Sequence, residues 1–175
     1  MKTFYEDMKT VWGDNWSVTS EIGKLRAVVV HRPGREVDDI KDLEKAYVRD
    51  YIDGDKARWE HDNLIDVYRK NGVDVYYVEE TDEECPNAMF CHDLVLGTPE
   101  GVIITRPGIE VRSKEVKYVA KTVSSIGVPI VRTINGCGIF DGACATWVDK
   151  ETVFVGTGTR CNQEGLRQVS ETFRS

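Results

Sequence analysis

One ten-residue phrase occurs twice in this chain. Val28-Val29-Val30-His31-Arg32-Pro33-Gly34-Arg35-Glu36-Val37 returns as Val102-Ile103-Ile104-Thr105-Arg106-Pro107-Gly108-Ile109-Glu110-Val111. In both copies a β-branched run is closed by Pro-Gly, the pattern of a buried strand running into a turn. A second landmark follows in the same order, Gly72-Val73-Asp74-Val75 and Gly127-Val128-Pro129-Ile130. Before Gly127, Val116, Val119, Ala120, Val123 and Ile126 recur at helical spacing. Before Gly72, Trp59, Leu64, Ile65, Val67 and Tyr68 give a looser stripe, with Asp55 as its cap. Gly72 and Gly127 are then the left-handed residues just past each helix. Two short matches can arise by chance, but shared landmarks in a shared order argue for a true repeat. The unit is strand, turn, helix, glycine, strand, and the fold class is α/β.

A third unit opens with the apolar run from Thr152 to Gly158, and Asn162 caps a stripe of Leu166, Val169 and Phe173. Counting the Gly108-to-Gly127 interval onward from Gly156 or Gly158 reaches or passes the last residue, so the third unit's closing strand is expected to be absent. The expected organisation is a single domain over 1–175. It divides into an N-terminal segment (1–23), a first unit (24–85), a second (86–135) and a truncated third (136–175). Two segments lie outside the repeat. Residues 1–20 carry Phe4, Tyr5, Trp12 and Trp16 without a clear period, as a cover or an oligomer arm. Residues 38–54 space Leu43, Tyr47 and Tyr51 four apart, which suggests a short amphipathic helix or the rim of an active site.

Composition excludes several roles. With 23 Lys+Arg against 30 Asp+Glu, the net charge of −7 does not suit a binder of phosphate backbones. Apolar residues at 41% and charged residues at 30% are ordinary for a globular domain. No apolar run is long enough to span a bilayer, and Met1 to Asp7 holds no apolar core of a secretory signal. The five cysteines, at 85, 91, 137, 144 and 161, form no CxxC pair. That usage fits a reducing cytoplasm, with no metal site and no disulfide framework.

Some polar residues do not fit plain strands. The stretch from Pro86 to Leu96 reads as a strand leading into the second repeat, yet Asn87, His92 and Asp93 interrupt it. A buried carboxylate is costly unless paired, so periodicity alone puts Asp93 on a turn or an exposed edge. Asp141 lies among small residues that permit close approach of backbone or ligand, although Asp-Gly is also a hairpin turn. Arg112 and Arg160 each follow a turn at the expected start of a helix. The dipole disfavours a cation there, which points to the carboxylate of a ligand, against the plain alternative of a solvated arginine. Cys91 beside His92 suggests a thiolate–imidazole pair, but strand alternation would send them to opposite faces. Cys85, Cys91, Cys137 and Cys161 are read as inert packing residues.

At these residues the sequence resembles the guanidino-group-modifying enzymes: dimethylarginine dimethylaminohydrolases, arginine deiminases and amidinotransferases. Ser20 to Leu25, running on to Gly34, is similar to the opening of arginine deiminases. Asn87 to Asp93 with Ile104-Thr105-Arg106-Pro107-Gly108 resembles dimethylargininases, as do Asp141-Gly142, Phe154-Val155-Gly156 and Arg160-Cys161-Asn162-Gln163. Phe140-Asp141 before small residues is closer to amidinotransferases. The resemblance implies a pentein-type propeller of five ββαβ units around a central site, of which this chain would hold two and part of a third. It further implies catalytic roles for Asp93, which grips a guanidinium, and for Asp141, which accompanies a catalytic histidine. Asn87 and Phe90 would join Asp93 in binding substrate, with Arg112 and Arg160 on its carboxylate. The implied chemistry is attack of a cysteine thiolate on the guanidinium carbon, giving a thiouronium that water or an amine resolves. Two positions depart from the dimethylargininase pattern: His92 replaces a glutamate, and Cys144 replaces an aspartate. The family's histidine and nucleophilic cysteine match no residue here.

The leading expectation is thus the N-terminal part of a cytoplasmic hydrolase acting on a small arginine-like guanidine, with no cofactor, no metal, no nucleic acid and no membrane. Amidino transfer is the alternative chemistry, and a non-catalytic module for a cationic ligand or a partner chain is the alternative class. An interrupted propeller would leave sheet edges and the Leu166–Val169–Phe173 face uncovered, so an oligomer or a missing C-terminal segment is expected as partner.

Overall fold

The computed structural model describes residues 2–173. Three small sheets follow one another along the chain. In the first, β1 (Ala27–Val30) pairs in parallel with β2 (Asp74–Tyr77), and α2 (Gly54–Lys70) connects them. In the second, β3 (Val95–Thr98) runs antiparallel to β4 (Gly101–Ile104), which pairs in parallel with β5 (Ile130–Thr133) after α3 (Val116–Ser125). The third is the hairpin of β6 (Ala145–Asp149) and β7 (Thr152–Val155), followed by α4 (Gln163–Thr172). The second unit is a full ββαβ, and the third presents ββα among the described residues.

The first unit has one strand fewer than expected. It is βαβ, because the segment before β1 is used elsewhere. Val18 N donates to Thr98 O at 2.8 Å, and Glu21 Oε1 accepts from Trp147 N at 2.9 Å. Arg26 holds the strap in place, with Nη1 on Asn15 O at 2.5 Å and Nη2 on Ser17 O at 2.7 Å. The N-terminal segment therefore crosses to the second and third units. It begins with α1 (Phe4–Trp12), where Thr3 and Glu6 form a reciprocal capping box.

Strand β4 is buried along its whole length and supplies two cores. Alternation sends Val102 and Ile104 to one face, where they meet Leu94, Val119 and Val123. Ile103 goes to the other, with Leu96, Phe140 and Val169. Burying each of these side chains stabilises the fold by roughly 1.5–3 kcal/mol. The α3 stripe packs as its spacing requires, and Gly72 and Gly127 close their helices at φ 73° and 86°.

Helix α2 differs from the expectation. Its cap is Asp53, whose side chain accepts from Lys56 N, and Asp55 lies inside the first turn. Trp59, Leu64 and Val67 are exposed, and the buried face is carried by Gly54 and Ile65. Of the expected 38–54 segment, Gly54 opens α2, and residues 38–53 form turns and loop rather than a helix of their own, with Tyr47 and Tyr51 exposed. They rim a cavity of about 1160 Å³ lined with acidic residues that include Asp38, Asp42 and Asp82. Among the described residues, no helix is long and apolar enough to cross a membrane.

Candidate functional site

The stretch expected as a strand before β3 is instead a loop that ends in a 3-10 turn, Cys91–Leu94. Its carbonyls serve a side chain rather than a ladder. Arg112 Nη2 donates to Phe90 O at 3.1 Å and to Asn87 O at 3.3 Å. Thr105 fastens the turn to β4's end by donating through Oγ1 to Asp93 O at 2.7 Å. The Asp93 side chain is held at 16% exposure beside the turn Gly142–Cys144.

These two turns meet at Gly142. A Cβ there would lie 2.2 Å from His92 O and 2.6 Å from Val95 O, so only glycine permits the contact. The small residues around Asp141 thus serve backbone packing, and Asp141-Gly142 opens a 3-10 turn, not a hairpin. Phe140 bridges to both Arg106 and Cys161, and Asp141 N donates to Arg160 O at 3.0 Å. Asp141 is 1% exposed.

Four of the expected residues join one chain of charges. Glu115 Oε2 accepts from Arg112 Nε at 2.9 Å and Nη2 at 2.8 Å. Arg112 Nη1 reaches Asp93 Oδ2 at 2.5 Å. Asp93 Oδ1 lies 2.8 Å from Arg160 Nη2, and Arg160 Nε donates to Asp141 Oδ2 at 2.6 Å. Where a ligand's carboxylate is expected beside Arg112 and Arg160, the structure instead places the protein's own, those of Asp93, Glu115 and Asp141. Arg112, with its side chain 4% exposed, is saturated by protein acceptors. Burial disfavours its charge, but Glu115 and Asp93 outweigh burial and raise its pKa. Arg160 is raised chiefly by the Asp141 bond.

Glu115 is not among the expected site residues. The sign was its position three residues after Arg112 at the start of a helix, the spacing at which side chains meet. Burial pushes its carboxyl up to about 7, against the lowering effect of Arg112. Asn87 turns its side chain away, with Nδ2 donating to Ala46 O at 2.8 Å, while Phe90 is exposed beside the loop. His92 is exposed, and Cys91 is buried with its thiol raised to about 12 by desolvation, so the two form no dyad. Cys137, expected inside, is exposed. Among the described residues, no group of three or more His, Cys, Asp or Glu side chains is placed to hold a metal ion.

Comparison with known proteins gives this geometry a context. A family model described as eukaryotic N,N dimethylarginine dimethylhydrolase matches residues 35–174. The N(G),N(G)-dimethylarginine dimethylaminohydrolase of Streptomyces coelicolor is 29% identical over 125 residues, covering 71% of this chain and 47% of that protein. The arginine deiminase of Streptococcus sanguinis is 42% identical over 65 residues, 36% of this chain and 16% of that enzyme. A solved dimethylarginine dimethylaminohydrolase from Pseudomonas aeruginosa, a cysteine-to-serine mutant complexed with citrulline, superposes with a TM-score of 0.73 at 26% identity, covering 87% of this chain and 58% of that one. The N-terminal domain of ArgZ, at 15% identity and a TM-score of 0.69, shares the fold over 85% of this chain and 55% of its own. The chain spans about half the length of the dimethylargininases it matches. The fold is the α/β pentein type of these neighbours. With the family model matching most of its length, the chain belongs to the N,N dimethylarginine dimethylhydrolase family.

Proposed function

We propose that this chain supplies the guanidinium-binding part of a hydrolase acting on the C–N bonds of a linear guanidine. Asp93 and Asp141 accept the ligand's guanidinium, and Arg160 meets its carboxylate. One observation carries the reading: Asp93 and Asp141 already converge on a single guanidinium, that of Arg160, at 2.8 and 2.6 Å. A planar cation with five fixed donors is recognised by carboxylates placed in this way. Three units of related topology, meeting at the two turns, support an arrangement as propeller blades around the site.

The proposed chemistry is covalent. A cysteine thiolate adds to the guanidinium carbon, the amine leaves with a proton from a histidine, and water displaces sulfur from the thiouronium to give a ureido product. Four of the five thiols do not suit that role, and Cys137 lies on the surface outside the charge chain. Burial raises Cys85 to about 11 and Cys91 to about 12, and it also pushes Cys144 and Cys161 upward. The thiolate and the histidine are accordingly assigned to polypeptide other than the described residues, and the chain alone should form no citrulline.

Calorimetric titration of the purified chain with L-arginine tests the binding assignment. Asp93→Asn should weaken binding by about tenfold or more, the order expected for a charge-assisted bond. Equal affinity in the two proteins would remove Asp93 from the site.

A further inference from the structure

The two arginines of the charge chain are held very differently. Arg112 is enclosed and donates through Nε, Nη1 and Nη2 to protein acceptors on every side. Arg160 has 47% of its side chain exposed, while its acceptors Asp93 and Asp141 are 16% and 1% exposed. The anions are walled in and the cation enters from solvent. That is the arrangement of a ligand in a mouth, not of a residue in a core. The fit is also incomplete, because Asp141 Oδ1 is buried and has no hydrogen-bond partner. An acceptor removed from water and left without a donor is unfavourable.

We propose that Arg160 is an exchangeable internal occupant of the guanidinium seat, and that this exchange makes the site selective for guanidino acids over guanidines that lack a carboxylate. The inference rests on reading Asp93 and Asp141 as guanidinium acceptors. A ligand guanidinium replaces the two bonds that Arg160 gives up and brings further N–H donors within reach of Asp141 Oδ1. Arg160, once displaced, has lost both of its anions. A ligand with its own carboxylate offers the freed fork a new one, whereas a simple alkylguanidinium does not. Ligands of the second kind must therefore bind against an uncompensated cation.

The test uses the full chain with L-arginine and methylguanidinium as probes, followed by calorimetry. The wild-type protein should prefer L-arginine. In Arg160→Ala, methylguanidinium should bind about ten- to a hundredfold more tightly than in wild type, the range expected when a competing charged contact is removed. The preference for L-arginine should shrink with it. Arg160→Gln, which keeps a neutral donor near Asp141, gives a second reading should the alanine variant unfold. In the 15N-labelled wild type, the Arg160 Nε–H signal should move on saturation with L-arginine. Methylguanidinium affinity that is unchanged or weaker in the substituted chains, or an Arg160 signal unmoved at saturation, overturns the exchange. If binding persists and is sensitive to Asp93→Asn while Arg160 stays put, the exchange alone falls. If neither probe binds wild type or variants, the guanidinium reading of the carboxylates falls with it.

Discussion

Behind the Pro33-Gly34 turn of the first unit, His31 and Glu36 bury a pair that closes on itself. His31 Nδ1 lies 2.7 Å from Val78 O and Nε2 lies 3.2 Å from Glu36 Oε1, so both ring nitrogens face acceptors, an arrangement that favours the imidazolium. Burial opposes that charge, but Glu36 and the Val78 carbonyl outweigh it and raise the pKa. Glu36 in turn accepts from Gly34 N at 2.7 Å. In the second unit, Thr105 and Glu110 stand at the positions of His31 and Glu36. Thr105 bonds the Asp93 carbonyl, and the buried charge moves on to Arg112. Arg112 joins Glu115 to Asp93, and Asp93 leads to the third unit. The same turn thus carries two uses of a buried ion pair. A pair neutralised within its own unit fastens that unit, and a pair that is passed onward positions a neighbour.

The widest separation between the two units should come from Arg112→Ala. Removing Arg112 strands the buried Glu115 and leaves Asp93 with Arg160 alone, and we expect a loss of about 3–5 kcal/mol in urea unfolding. A loss under about 1 kcal/mol, the scale of a surface ion pair, would remove Arg112 from the chain's supports. The pH dependence should separate the units next. The folded chain holds a proton on Glu115 up to about 7, whereas an ordinary glutamate releases it near 4.5, so stability falls as pH rises across that window. Glu115→Gln should flatten this slope. His31 contributes fully below 6.5 and loses its contribution as pH rises through its higher folded value. His31→Gln should cost about 1–3 kcal/mol at pH 6 and progressively less in more alkaline solution. Denaturant midpoints measured across pH distinguish the two windows, and parallel profiles for both variants would erase the contrast.

Smaller effects test the helices. Asp53→Ala should cost about 1 kcal/mol, seen as a lower Tm, because α2 has a side-chain cap where α3 has none. Trp59→Gln should change stability by no more than about 0.5 kcal/mol, since that indole lies 66% exposed. A large loss there would return Trp59 to the buried face.

The second unit was the most legible in the sequence because its helix is amphipathic in the ordinary way, with Val119 and Val123 inside. Helix α2 departs from its sequence stripe because Trp59, Leu64 and Val67 are apolar yet exposed, and a periodicity count cannot tell which apolar residues find a partner. The loop from Asn87 to Asp93 imitated a strand for a related reason. Its apolar residues suit a sheet, but Asn87 and Phe90 give their carbonyls to Arg112, twenty or more residues later. Residues 38–54 suggested a helix from three aromatic or aliphatic positions, and Tyr47 ends that possibility by adopting φ 56°. In the site, Asp93 and Asp141 stand out as carboxylates among apolar or small residues, Arg112 and Arg160 as cations at expected helix starts, and the resemblance implies their roles. The pairing of Asp93 and Asp141 with Arg112 and Arg160 joins residues 19 or more apart and leaves no periodic trace. Glu115 lies only three residues from Arg112, and His31 only five from Glu36; these pairs are hidden because such spacing is equally that of a solvated surface pair.

The contact at Gly142 has a consequence for what the site can measure. Main chain rests on main chain there, so the backbones that carry Asp93 and Asp141 stand at a set separation, and a common partner, Arg160, spans what remains between their carboxylates. Such a gap works as a ruler. A flat fork reaches from one end to the other, as Arg160 does through Nη2 and Nε. An ammonium, being a point of charge, satisfies one end and leaves the other reading empty.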